Sequence, residues 1–273
     1  MITFPNAKIN IGLFITEKRP DNYHNLETIF FPVPLKDALE IIPQPKHEMS
    51  SLHLHGLEIN GSNENNLIWK AYELLRNKYA QLNSTALDIH LLKKIPMGAG
   101  MGGGSADGAF MLQLLNDYFE LNISKGTLKE MAATLGSDCA FFIENQPCFA
   151  SGRGEILEPI PLDLNNYSIQ LVCPKIHIST ATAFNALTPK KASFDLRNIN
   201  SIKIEDWKHR IFNDFEENIF KHHPILDAIK QSLYDGGALY AAMSGTGSTI
   251  YGIFPKGTST VVDIEIPFEN YIF

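Results

Sequence analysis

PMGAGMGGGSADGA, residues 96–109, decides the fold of this chain. Five glycines fall within the seven residues 98–104, between the apolar run ALDIHLL (86–92) and ADGAFMLQLLNDYF (106–119), whose apolar residues recur at helical spacing. A strand, a loop almost without side chains and a helix, in that order, make an anion site. Bare backbone N–H groups approach phosphate oxygens, and the helix adds unpaired N–H groups and the positive end of its dipole. Ser105 adds a hydroxyl. A flexible glycine linker has a similar composition, but linkers do not usually contain Met or sit wedged between an apolar strand and an apolar helix. Gly98, Gly100 and Gly103 satisfy GxGxxG, yet Pro96 interrupts the strand-to-loop junction and no opening βαβ unit surrounds the loop. The sequence has no GxxxxGK(S/T) and none of the catalytic-loop and metal-binding motifs of protein kinases. The loop belongs to another nucleotide-binding class.

Working upstream, residues 7–16 alternate, with Ile9, Ile11, Leu13 and Ile15 on one side and Lys8, Asn10, Gly12 and Phe14 on the other. That pattern predicts a strand carrying Lys8 and Asn10 on one face. RPDNYH (19–24) reads as a turn, strand signals continue to Ile42, and SLHLHGLEI (51–59) alternates again. Asn65 and Asn66 precede LIWKAYELLRNKYA (67–80), so one of them caps that helix. Downstream, Thr127 and Glu130 have the capping-box spacing before an apolar helix that Gly136 ends, and Asp138 sits just past the stop. Residues 144–166 are rich in Pro and Gly, which divides the chain into two α+β halves, 1–155 and 156–273. The second half offers a strand at SIQLVCP (168–174), helices around Trp207 and Ile225, and another small-residue loop, SGTGS (244–248), before the strand IYGIF (250–254).

With 273 residues, 44% hydrophobic and 19% charged, the chain is expected to fold throughout. A net charge of −7 opposes nucleic-acid binding. A small anionic ligand needs only a few local donors, and Lys8, Lys18, Arg19, Lys93, Lys94 and Arg153 lie near the unusual segments. Cys139, Cys148 and Cys173 are odd in number and lack CxxC spacing, which fits neither a disulfide framework nor a zinc site and predicts a reducing, cytoplasmic setting. The opening MITFPNAKIN has polar residues where a signal peptide needs an apolar core, and no apolar run reaches bilayer-spanning length, so no membrane is expected.

Three ordered motifs resemble those of the GHMP kinases, the superfamily of galactose, homoserine, mevalonate and phosphomevalonate kinases. AKINIGLFI (7–15) looks like the N-terminal motif, PMGAGMGGGSADGA like the phosphate loop, and MSGTGSTIYGIF (243–254) like the C-terminal glycine motif. Within the superfamily, AKINIGLFITEKRPDNYHNLETIF (7–30) is most similar to the branch acting on a cytidine-diphosphate-linked methylerythritol. Members of that branch carry AKxNLxLxIxGKRxDGYHxLxT there, GGGLGGGSS at the loop, and GADVPFF where this chain has GSDCAFFI (136–143). Two departures stand out. Asn22 replaces the glycine of DGYH, and Asn tolerates the positive φ such a turn needs. Ala106 and Asp107 replace Ser and Asn, which brings a carboxylate near the phosphate loop. The resemblance implies an α+β, two-domain GHMP kinase fold (N-terminal ribosomal-protein-S5-domain-2-like, C-terminal ferredoxin-like). It also implies ATP with Mg2+ as cofactors and phosphoryl transfer to a hydroxyl of a small molecule.

Such a transfer needs positioning, charge stabilisation and a group to receive the hydroxyl proton. Asp138, between Gly136 and the apolar CAFFI (139–143), is the candidate base; read alone, it is equally a cap or turn residue. Lys8 alone reads as a solvated strand lysine. The resemblance implies that it lies beside Asp138 and the reacting hydroxyl, stabilising developing alkoxide charge. Asn10 orients the hydroxyl or Lys8, or is an edge-strand amide. The ATP site is assigned to Pro96, Met97, Gly98, Ala99, Gly100, Met101, Gly102, Gly103, Gly104, Ser105 and Ala106, with Asn66 and Lys93 near base and ribose. Alone, the last two read as a helix cap and a solvated lysine. For the cytidine half, the resemblance implies Tyr23 and Phe184 stacking on the pyrimidine, His24 on the base edge and Thr180 on a phosphate or sugar. Ser244, Gly245, Thr246 and Gly247 would help close the substrate site, with a tight hairpin as the structural alternative. His53 and His55 form HxH on a strand face, but no third ligand is near in sequence, so they are expected as exposed histidines and no transition metal is assigned. The expected partners are ATP and a small cytidine diphosphate substrate, on a monomer or weak homodimer. The rival expectations are another GHMP kinase, such as homoserine or mevalonate kinase, and a nucleotide-binding regulator that kept the fold and lost catalysis.

Overall fold

The structure is a computed structural model that describes residues 1–46, 49–59, 61–185 and 187–273. Its strands are β1 (Ile2–Thr3), β2 (Asn6–Lys18), β3 (His24–Lys36), β4 (Ala38–Gln44), β5 (Ser51–Gly56), β6 (Ala86–Lys93), β7 (Cys148–Ser151), β8 (Ile156–Pro159), β9 (Tyr167–Pro174), β10 (Tyr240–Met243), β11 (Ile250–Pro255) and β12 (Phe268–Ile272). The α-helices are α1 (Leu67–Arg76), α2 (Gly103–Tyr118), α3 (Lys125–Leu135), α4 (Phe141–Glu144), α5 (Thr180–Asn185), α6 (Ile204–Trp207), α7 (Glu216–His222) and α8 (Pro224–Asp235). They form two compact units, each drawing on several stretches of chain. One comprises Met1–Lys8, Pro32–Met97 and Gly102–Gln146; the other comprises Ile9–Phe31, Gly98–Met101 and Pro147–Phe273.

The first unit has a sheet of order β1-β4-β6-β5, in which β5 runs parallel to β6 and the other pairs are antiparallel. Alternation gives this sheet one apolar face, with Leu39, Ile41, Leu52, Ile89 and Leu91 buried. Helix α2 packs against α1, α3 and α4. Asn66 caps α1 by accepting from the Ile68 N–H at 2.9 Å, as one of the paired asparagines was expected to do. The cap of α3 differs from expectation. Ser124, not Thr127, is the N-cap and accepts from the Thr127 N–H at 3.2 Å, while Gly136 ends the helix. Overlapping S-x-x-T and T-x-x-E spacings compete here, and the upstream serine starts the helix one turn earlier.

The second unit holds the antiparallel sheet β10-β11-β9-β12, and α8 packs on β10 and β11. Its core gathers Val172, Phe215, Leu226, Ile229, Leu233, Met243 and Phe254 with Leu13 and Ile15 of β2. A further sheet has the order β2-β3-β7-β8. Strand β2 is where the sequence predicted, but both of its faces are buried from Asn6 to Ile15. Its polar residues are tolerated inside because they have partners: Asn10 donates from Nδ2 to Thr28 Oγ1 at 3.0 Å. The RPDNYH segment turns as expected, with Asn22 at φ +66° and the Arg19 N–H donating to the Tyr23 carbonyl. Cys139, Cys148 and Cys173 are buried and joined in no disulfide. Among the described residues, no helix is long and apolar enough to cross a membrane.

Candidate active site

The glycines of residues 98–104 are needed for their backbone shapes. Gly100, at φ +79°, is so close to the second glycine loop that a Cβ there would lie 2.0 Å from the Ser244 carbonyl oxygen. The Ser244 hydroxyl in turn donates to the Gly100 carbonyl at 2.8 Å. Gly102, at φ +68°, is the N-cap of α2, and no side chain caps that end. A Cβ on Gly102 would meet Lys8 Cε and Phe142 Cζ, each at 3.1 Å. The stem of Lys8 therefore lies against the positive end of the α2 dipole, where an anion is favoured.

Lys8 is not the solvated lysine that its residue type alone suggests. Its side chain is 4% exposed, and Nζ lies 3.3 Å from Asp138 Oδ2. Asp138 is presented by a tight turn after α3, in which the Cys139 N–H donates to the Gly136 carbonyl and the Phe142 N–H to the Cys139 carbonyl. Buried Cys139, Phe141 and Phe142 anchor that turn, while the Asp138 side chain keeps 29% of its surface open. An ammonium and a reachable carboxylate side by side, next to an uncapped helix start, form a unit that can accept a proton and offset negative charge.

Lys93 is fully buried, its Nζ donating to Asp37 Oδ2 at 2.5 Å and Asp107 Oδ2 at 2.7 Å. Asp37 Oδ1 also accepts the N–H groups of Lys94 and Ile95, at 2.6 and 2.9 Å. The triad ties the exit of β6, the residue before β4 and the first turns of α2 into one block under the loop. A cavity of about 160 Å³ is lined by Asn65, Asn66, Leu67, Met97, Gly104 and Asp107, with Leu54, Ile59, Gly61 and Ser62. Asp107 Oδ1 is buried and has no hydrogen-bond partner. Burial, opposed by Lys93 and reinforced by Asp37, pushes the Asp107 carboxyl up to about 7. A carboxyl raised in the folded state holds a proton there that the unfolded chain releases, so its contribution to stability declines as pH rises from about 4 to about 7. The Tm advantage of wild type over Asp107→Asn should accordingly shrink across that window in paired thermal melts. A constant difference would contradict the assignment.

In the second unit, the His24 and Phe184 rings stack with centroids 5.2 Å apart. Burial, with a smaller effect of Lys18, holds His24 below the usual histidine range. Tyr23 is exposed and does not join this stack; its ring carries the Arg153 guanidinium at 5.0 Å. Thr180 and Thr246 hydroxyls approach to 3.4 Å. Residues 244–249 connect the antiparallel β10 and β11, so the hairpin expected as the alternative is present. Asn10 belongs to this unit as well, and its N–H donates to Ser244 Oγ at 3.2 Å.

Sequence reasoning missed two supporting residues. Asp37 has no motif around it and finds Lys93 56 positions away through the β4–β6 pairing. Asn213 fixes the second glycine loop by donating from Nδ2 to the Met243 and Gly245 carbonyls, both at 2.8 Å. A lone asparagine before Asp214 gave no sign of this.

Residues 66–153 match the family model for the GHMP kinases N terminal domain, and residues 196–261 match that for GHMP kinases C terminal. The chain belongs to the GHMP kinases, with the two-domain fold of that family. It is 51% identical to the 4-diphosphocytidyl-2-C-methyl-D-erythritol kinase of Bacteroides thetaiotaomicron, over 96% of each chain. It is 52% identical to the enzyme of the same name from Bacteroides fragilis, over 98% of this chain and 97% of that one. A crystal structure of 4-(cytidine 5'-diphospho)-2C-methyl-D-erythritol kinase superposes with a TM-score of 0.74 at 29% identity, covering 93% of this chain and 90% of the other. The fold alone is shared with the mevalonate kinase of Methanococcus jannaschii, at a TM-score of 0.72 and 15% identity over 94% and 91% of the two chains. GHMP kinases use ATP as substrate.

Proposed function

We propose that this chain transfers the γ-phosphoryl group of ATP to the 2-hydroxyl of 4-diphosphocytidyl-2-C-methyl-D-erythritol, in the non-mevalonate (methylerythritol phosphate) route to isoprenoid precursors. The observation that carries the reading is the Lys8–Asp138 pair at 3.3 Å, on motif positions and beside the uncapped start of α2. Asp138 takes the hydroxyl proton as the oxygen attacks the γ-phosphorus and the bond to ADP breaks. Lys8 offsets the negative charge on the attacking oxygen, and Asn10 orients it. Backbone N–H groups of residues 97–105, in the loop that Pro96 and Ala106 bound, the Ser105 hydroxyl and the α2 dipole hold the phosphates.

Asn66 borders the base and ribose, while Lys93 acts through Asp107 rather than by touching nucleotide, because both its carboxylate partners are buried with it. The donor set also fits Mg2+, a hard cation usually held by one or two carboxylates together with substrate phosphates. The Ser105 hydroxyl and the ATP phosphates would hold it, leaving the Asp138 carboxylate to act as the base, and the bound ion would neutralise phosphate charge.

For the cytidine half, Phe184 and Tyr23 stack on the pyrimidine, and neutral His24 offers its edge one donor and one acceptor. Thr180, Thr246 and the Ser244–Gly247 hairpin turn contact the substrate's phosphates or sugar. A base-to-aromatic stack contributes about 1–3 kcal/mol. Phe184→Ala should therefore raise KM for the cytidyl substrate by about tenfold or more, leaving KM for ATP unchanged in steady-state assays. An unchanged KM for the cytidyl substrate would remove Phe184 from the site. Three buried cysteines outside any disulfide fit a reducing, cytoplasmic setting.

The test of the whole reading is coupled ADP release with this substrate against homoserine, mevalonate and galactose. Preference for the cytidyl compound is expected, and preference for any of the others overturns the substrate assignment.

A further inference from the structure

A second cluster lies on the solvent face of the β1-β4-β6-β5 sheet. The β5–β6 register places Ser51 opposite Asp88 and His53 opposite His90, and the β4–β6 register places Glu40 opposite His90. Alternation sends Leu52, Ile89 and Leu91 to the buried face, so His53, His55, Asp88 and His90 share the open one. The two further ligands that His53 lacks in sequence are thus supplied by the neighbouring strand β6. One ligand atom each from His53, Asp88 and His90 lie within 4.8 Å of one another. The His90 ring stacks on both other imidazoles, with centroids 4.7 Å from His53 and 5.6 Å from His55, and His55 Nε2 is 3.3 Å from His90 Nδ1. The Ser51 hydroxyl donates to Asp88 Oδ1 at 2.6 Å and lies 2.8 Å from His53 Nε2, while His53 Nε2 is 3.9 Å from Asp88 Oδ1.

We infer that this chain binds a divalent transition metal ion of the Zn2+ type at His53, His90 and Asp88, on a surface separate from the Lys8–Asp138 pair. Zinc bonds of about 2.0–2.1 Å to nitrogen and about 2.0–2.2 Å to oxygen put tetrahedral ligand atoms about 3.3 Å apart. The separations here, within 4.8 Å, are wider than that spacing, and the half-exposed His53 side chain closes the gap by exchanging its contact with Ser51 for the ion. Two imidazoles and a carboxylate suit Zn2+, Cu2+ or Ni2+, not Mg2+, which prefers oxygen ligands. Ser51 takes the outer-shell position, its hydroxyl orienting the Asp88 carboxylate. His55 stands behind the ligand, its Nε2 3.3 Å from His90 Nδ1, where it orients the His90 ring. The ion would clip edge strand β5 to β6, and Leu54, between the two histidines on the opposite face, lines the cavity that includes Asn66 and Asp107.

The test is calorimetric titration of the tag-free full chain with ZnCl2 in chelator-cleared buffer containing millimolar Mg2+. Saturation at one equivalent is expected, unaffected by Mg2+ and lost in His53→Gln and His90→Gln. Ser51→Ala should weaken binding by about 10–100-fold, the usual cost of an outer-shell partner. Zinc-edge absorption spectroscopy should report nitrogen and oxygen ligands without sulfur. All three variants should keep wild-type turnover with MgATP, which separates this site from the phosphoryl-transfer centre and certifies that they fold. Non-saturable binding, an isotherm unchanged in the two histidine variants, or sulfur in the spectrum would overturn the site; the first result would leave the histidines as a polar guard on an edge strand.

Discussion

Asp138→Asn lowers kcat by about a hundred- to ten-thousand-fold, the usual contribution of a positioned general base, and leaves ATP binding intact. The asparagine keeps the shape of the side chain and an oxygen toward Lys8, so the Gly136–Cys139 turn and the loop beside it are undisturbed. What it cannot do is take the proton from the attacking hydroxyl. Paired measurements of turnover and of ATP affinity by titration check both halves of the expectation. A protein that only sensed nucleotide would be indifferent to the change. Loss of ATP affinity in step with kcat would instead assign Asp138 to nucleotide binding.

Lys93→Met destabilises the fold by about 3–5 kcal/mol, because removing the cation leaves two buried carboxyl groups facing each other with no positive charge between them. Asp37 and Asp107 have side-chain exposures of 0% and 4%, so water cannot replace the ammonium. The cost should appear as a lower denaturant midpoint. A double variant with Asp107→Asn should recover part of it, since the carboxyl that must otherwise stay protonated against Asp37 is then gone. A midpoint equal to wild type would mean that the triad does not hold the base of the loop.

The sequence made the chemistry of this site more legible than its supports. Lys8 and Asp138, which alone read as a solvated lysine and a cap, were singled out by their resemblance to family motifs, whereas the glycines of residues 96–106 stood out by their own spacing before a helix. Asn22 was readable for the same local reason, its side chain tolerating the φ of +66° that the turn demands. Asp37–Lys93 and His53–His90 were not, since strand register joins residues 56 and 37 positions apart and no local pattern announces the register. Burial of both faces of β2 was hidden because alternation along one strand says nothing about what covers its polar side. At α3 the local code was ambiguous, with Ser124 and Thr127 both competent caps. The interleaving of chain segments between the two units also lay beyond a reading that moves along the chain in order.

Phosphorus NMR of the reaction mixture reads the destination of the transferred group directly. With ATP, Mg2+ and 4-diphosphocytidyl-2-C-methyl-D-erythritol, wild-type protein should produce ADP and a new phosphomonoester on the substrate whose diphosphate signals persist, and Asp138→Asn should not. Unconsumed ATP, or inorganic phosphate in place of the monoester, would contradict a kinase centred on Lys8 and Asp138.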